Sequence, residues 1–181
     1  MIFRLTQKVS NKLRIPCEEL AQSSASILEW YCNLVVAQRR QFFLFTQAAT
    51  LFSFWAPAAG YSRGEFSPMF RRRATDALRD YGFSDDDVAK LIHDGPDVFA
   101  RSVDRGVVGS MVDYAKMFRH AVDHEGGLER LGPRSMNNIA NECPMSRIGM
   151  ESPTRYLRQV LRAGGPHNAR PLGGPPGRVN D

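Results

Sequence analysis

Several sets of side chains have the types and spacing to do chemistry, and each also has a plainer structural role. His120 and His124 stand one helical turn apart with Asp113, Asp123 and Glu125 nearby, the spacing of a two-histidine zinc chelate. A metalloprotease helix would carry glutamate directly after the first histidine, where this chain has Ala121. Two cations in the last turn of a helix also suit its dipole, so no metal is assigned. Cys32 and Cys143 are candidate nucleophiles with His93 or His120 as base. Cys32, however, sits in an apolar run, where an inert buried thiol is the ordinary outcome. Arg71, Arg72 and Arg73, together with Arg79, Lys8, Lys12, Arg39 and Arg40, could assemble a basic face for nucleic acid. Asp76 and Asp80 are spaced to pair with that arginine run along one helix, and no zinc knuckle or RNP-type aromatic motif accompanies it. Gly106, Gly109 and Ser110 form a Gly-Ser turn that could offer backbone amides to an anion, although Ser110 reads first as a helix cap. The acidic run Asp85, Asp86 and Asp87 likewise reads first as a capping cluster.

The elements that must position these groups divide the chain in two. Residues 2–5 form a short first strand, and Thr6 then caps a basic helix through Leu13, stopped by Pro16. A polar loop with Ser23, Ser24 and Ser26 leads to an apolar strand over 27–37. The short break at 38–40 suits a hairpin into a strand at 41–46, and a further strand follows at 50–56. The second half reads as helices. Ser67-Pro68 opens one that ends at Gly82, and Ser84 opens another ending near His93. Residues 98–103 form a further short strand. Ser110 then precedes a helix to His124, which could start as early as Asp104 despite Gly106 and Gly109. A short helix covers 135–142, and Ser152-Pro153 opens the last amphipathic one.

From residue 41 to residue 62 the chain carries no charged side chain, and seven of those 22 residues are aromatic. That length could span a bilayer. Polar Gln41, Thr46, Gln47, Thr50 and Ser53 interrupt it, and its Phe, Trp and Thr content suits pleated strands better than a spanning helix. We therefore read two buried strands and no membrane segment. The 181 residues suffice for one self-sufficient core. Three scattered cysteines without a CxxC pair, and no apolar leader, indicate reduced thiols in the cytoplasm. The net charge of +5 rests on an arginine-rich cation set, which genome composition alone can produce and which could also serve phosphate binding.

Five segments occur in a telling order: Arg4-Leu-Thr-Gln-Lys8; Glu29-Trp-Tyr31; Leu44-Phe-Thr46 with Ala49-Thr-Leu-Phe52; Arg101-Ser-Val-Asp104 with Gly109-Ser-Met111; and Asn141-Glu-Cys-Pro-Met145. The set resembles a family of small bacterial proteins known only as a domain of unknown function, whose members open with a Leu-Thr-Gln-Lys-like segment. The resemblance spans about residues 1–162. It implies a soluble single-domain protein, but no activity, cofactor or catalytic residue.

The expected fold is α+β: a small antiparallel sheet, with the meander from residues 27–56 and the N-terminal strand, covered by about five helices. One domain spans 1–162, and a disordered Gly/Pro-rich tail spans 163–181. No acid, base, nucleophile or metal-ligand constellation stands out. The leading reading is a non-enzymatic binding or interaction module with no cofactor, its partner unknown, with a protein or a nucleic acid as the options. The alternative is a small hydrolase or nucleic-acid-processing protein acting through Arg71, Arg72 and Arg73. The polar residues of the recurring segments, Thr6, Lys8, Arg101, Ser110 and Asp113, are the binding candidates, each with a competing role as cap or ion pair.

Overall fold

A computed structural model describes residues 1–21 and 26–165. Its strands are β1 (Ile2–Leu5), β2 (Glu29–Ala37), β3 (Arg40–Gln47), β4 (Ser53–Pro57) and β5 (Val98–Arg101). Its α-helices are α1 (Gln7–Leu13), α2 (Arg63–Asp80), α3 (Asp85–Leu91), α4 (Arg105–His124), α5 (Pro133–Asn141) and α6 (Pro153–Arg162). Ser23 and Ser24 of the expected polar loop, and residues 166–181 of the expected tail, lie outside the described residues.

The α+β class and the β2–β3–β4 meander are as the sequence implies. The five strands lie in the order β4-β3-β2-β1-β5. The sheet is mixed rather than wholly antiparallel, because β1 runs parallel to β2 (Leu5 beside Cys32) and to β5 (Leu5 beside Arg101). A parallel pair needs a long crossover, and residues 6–28, which include α1, supply it.

Helices cover both faces of this sheet. On one, Phe3, Trp30, Phe43, Phe45 and Phe54 pack under α1, α2 and α3 through Val9, Phe66, Phe70 and Leu91. On the other, Tyr31, Phe42, Leu44 and Trp55 pack under α4, α5 and α6 through Met111, Phe118, Ala140 and Tyr156. Burial on both faces demands apolar side chains at consecutive positions, which accounts for the charge-free stretch. Among the described residues, no helix is long and apolar enough to cross a membrane. β4 begins at Ser53, not at residue 50, because Leu51 turns the chain with φ at +61°.

Both sheet edges are closed by specific contacts. Along β4, Ser53 donates its amide to Asn141 Oδ1 (2.7 Å) and accepts from Asn141 Nδ2 (2.7 Å), while Trp55 donates to Asn137 Oδ1 (3.0 Å). Four helical residues rise about 6 Å and two strand residues about 6.6 Å, so asparagines at i and i+4 meet alternate strand amides. Along β5, Glu18 donates its amide to Phe99 O (2.8 Å) and accepts from Arg101 N (3.1 Å).

The start of α2 differs from the sequence reading, α4 takes the earlier of its two expected starts, and Thr6 precedes α1 without its side chain capping it. α2 begins five residues before Pro68, because the Glu65 carboxylate reaches back to the Ser62 amide (2.9 Å) and hydroxyl (2.7 Å). Pro68 therefore lies inside the helix and leaves one carbonyl bond unmade. α4 begins at Arg105, because Asp104 Oδ1 accepts from the amides of Gly106 (2.8 Å) and Val107 (3.2 Å). Thr6 precedes α1, yet its hydroxyl donates to Asn33 Oδ1 (3.1 Å) rather than capping the helix.

Candidate binding crevice

The parallel pair β1 and β5 ends side by side, and the chain leaves the two strands in opposite directions. After β1 it enters α1, whose Val9 and Leu13 pack on the α2 face of the sheet. After β5 it enters α4, whose Val107 and Met111 pack on the other face. Where neighbouring connections diverge, the carboxyl ends of the strands are left open, and open sheets bind ligands at such points. A crevice of about 480 Å³ lies here, lined by Leu5, Gln7, Ser10, Pro16, Cys17, Arg101 and Ser102.

Its chemistry is that of a cation among neutral hydrogen-bonding groups. The Arg101 side chain is 63% exposed and, among the described residues, forms an ion pair only with the exposed Glu19 carboxylate, at 3.9 Å. Such a pair contributes little, so the guanidinium fork remains available. Ser10 donates its hydroxyl to Ile15 O (2.8 Å), and Gln7 donates its carboxamide N–H to Asn11 Oδ1 (2.7 Å). Cys17 donates weakly to Ile15 O, at 3.7 Å. Arg101 and Ser102 therefore supply the donors, and a small ligand bearing a carboxylate or phosphate suits them.

Arg4 anchors the strand ends beside this crevice through the Arg101 carbonyl. It is fully buried, donates Nε to Glu29 Oε1 (2.6 Å), and reaches Leu20 O (2.8 Å), Ala21 O (2.7 Å) and Arg101 O (3.3 Å). One guanidinium thus ties β1, β2, the end of β5 and the loop before β2 together. The sequence signal was a charge inside the apolar run Ile2-Phe3-Arg4-Leu5, which periodicity reads as a strand without asking for the partner.

Of the five binding candidates, Arg101 lines the crevice and Thr6 adjoins it through Leu5. Lys8 is exposed on α1. Ser110 does not open α4. It is buried within that helix and donates its hydroxyl back to Gly106 O (3.1 Å). Asp113 is exposed and pairs with Lys116 (3.2 Å). The structure therefore does not gather the five residues at one place.

The arginine run is likewise dispersed. Arg71 is held by Asp97 (2.8 Å) and the carbonyls of His93 (3.1 Å) and Gly95 (3.3 Å). Arg72 reaches Tyr61 Oη at 3.4 Å, and Arg73 has a buried Nε. His120 and His124 are exposed on α4. No group of three His, Cys, Asp or Glu side chains among the described residues is arranged to hold a metal ion. Burial in β2 pushes the Cys32 thiol well above its ordinary range. The acidic run opens α3, with Ser84 and Asp87 exchanging capping bonds and Asp85 accepting both Nε and Nη2 of Arg79.

A second cleft of about 680 Å³ lies between α2, α5 and α6, lined in part by Tyr81, Arg134, Asn138, Glu142, Thr154 and Arg158. Several of its polar groups satisfy one another. Tyr81 donates to Asn138 Oδ1 (2.6 Å), Thr154 donates to Glu142 Oε1 (3.1 Å), and Arg158 donates to Tyr81 O and lies over the Phe83 ring. Burial pushes the Tyr81 phenol up to about 12. This cleft reads as a polar seam joining three helices.

The family model described as a domain of unknown function (DUF6933) matches residues 2–156, so the chain belongs to that family. The match takes in all five strands and every residue lining the crevice. No curated protein matches the chain.

Proposed function

We propose that residues 1–162 form one non-enzymatic binding module of the cytoplasm, which takes a small anionic ligand at the carboxyl ends of β1 and β5. The observation that carries this reading is the exposed, weakly paired Arg101 fork in a crevice opened by diverging connections. Three free cysteines support a reducing compartment. Among the described residues, the crevice lining offers hydrogen-bond donors but no carboxylate or histidine, which favours binding over a small hydrolase. Dispersal of Arg71, Arg72 and Arg73 weighs against the nucleic-acid alternative.

Calorimetric titration with inorganic phosphate, a nucleoside monophosphate and a dicarboxylate tests the reading. At least one should bind with 1:1 stoichiometry, and Arg101→Ala should weaken it by about 10- to 100-fold, as loss of a charged hydrogen bond does. Equal affinity in wild type and Arg101→Ala, or no heat with any of the three, would contradict it.

A further inference from the structure

We propose that the tip of the β2–β3 hairpin is a second, separate docking surface, which takes an acidic peptide segment of a protein partner by seating one apolar side chain between carboxylates. A cleft of about 400 Å³ lies there, lined by Lys12, Arg39, Arg40, Gln41, Phe42, Pro57 and Ala59. Three cations thus stand around a largely carbon-walled depression, and no acidic residue among the described residues lines it. Lys12 donates to Gln41 Oε1 (2.7 Å), and Arg40 pairs with the exposed Glu129 (2.9 Å). Among the described residues, Glu129 is the only carboxylate in an ion pair with any of the three, and that pair is exposed enough to exchange for a partner's carboxylate.

The hairpin turn itself singles out Arg39. Gln38 and Arg39 form a two-residue loop with φ of +44° and +62°, a conformation that ordinarily selects glycine or asparagine. Gln38 has an intramolecular role there, because its Oε1 accepts from the Leu128 amide at 3.0 Å. Arg39 is exposed and makes no hydrogen bond or ion pair among the described residues. A bulky cation thus occupies a left-handed position with no hydrogen bond or ion pair among the described residues to account for it.

Charge complementarity selects an anionic partner, and the carbon walls select a peptide over a nucleic acid. Stacking bases need exposed aromatic faces. Phe42 offers none, because it is 8% exposed and packs edge-on against Phe118 at 5.5 Å. Pro57 and the exposed Ala59 complete a depression suited to an aliphatic side chain.

Fluorescence anisotropy of the full chain with a fluorescein-labelled peptide of alternating glutamate and leucine tests the proposal. Poly-glutamate of equal length and single-stranded oligo-dT serve as competing probes. The glutamate–leucine peptide should bind best. Arg39→Gly should weaken it by about tenfold while raising the melting temperature, since glycine adopts this turn freely. Ala59→Glu should weaken it similarly by placing a carboxylate in the cleft. Arg72→Ala, outside the cleft, should leave it unchanged. Absence of peptide binding, equal binding of poly-glutamate, or tighter binding of oligo-dT would overturn the proposal. So would insensitivity to both Arg39→Gly and Ala59→Glu.

Discussion

Asn141 closes both hydrogen-bonding groups of Ser53 at a fully buried strand edge, so its removal cannot be repaired by water. Asn141→Leu should destabilise the protein by about 2–4 kcal/mol, the cost of orphaning two buried backbone groups, and urea unfolding would measure it. Arg4 and Glu29 raise a related issue, because either one alone would be a buried charge without its partner. Tyr81 gives a pH signature. Its folded phenol titrates near 12 against an ordinary value of 10.0, chiefly through burial. The neutral form is therefore favoured in the folded state. That contribution is complete below pH 10 and is lost as pH rises from 10 through about 12. Stability measured by denaturant titration across that window should fall less steeply in Tyr81→Phe than in wild type.

At the scale of elements, the competition between capping signals decides where helices begin. Ser110 and Asp104 both have capping side chains, but only Asp104 is followed by amides that point at it, and its other oxygen is held by Arg147 at 2.5 Å. Asp104→Ala should cost about 1–2 kcal/mol in urea unfolding, whereas Ser110→Ala should cost well under half of that, because its hydroxyl only doubles an existing helical carbonyl contact. The same competition moved the start of α2 from Ser67-Pro68 back to Ser62. Local sequence gives the residue types able to cap. The Ser62-x-x-Glu65 spacing was itself the signal, since Ser67 has Phe70 three positions on, but the proline after Ser67 points to the later serine. Strand and helix identities were legible because apolar periodicity and turn residues are local. The parallel pairing of β1 with β2 and β5 was not, because it joins segments far apart in the chain.

For the whole molecule, the dominant feature is a sheet roofed on both faces. The uncharged block from 41 to 62 was legible as sheet core, since strands covered on both faces take apolar side chains at adjacent positions. β3 lies between β2 and β4 with Phe42 and Leu44 on one face and Phe43 and Phe45 on the other. Its amides should be the slowest to exchange with deuterium, at rates set by global unfolding, while those of α1 exchange earlier. The candidate site was legible only in part. Arg101 could be singled out, but Gln7, Ser10 and Cys17 become its neighbours only once β1 and β5 are paired.

The central claim, that the open ends of β1 and β5 receive a small anion, is tested most directly by following backbone amide shifts during titration with inorganic phosphate. The account predicts saturable shifts centred on Gln7, Ser10, Arg101 and Ser102 that disappear in Arg101→Ala. Shifts centred on Arg134 and Arg158, or none that saturate, would contradict it.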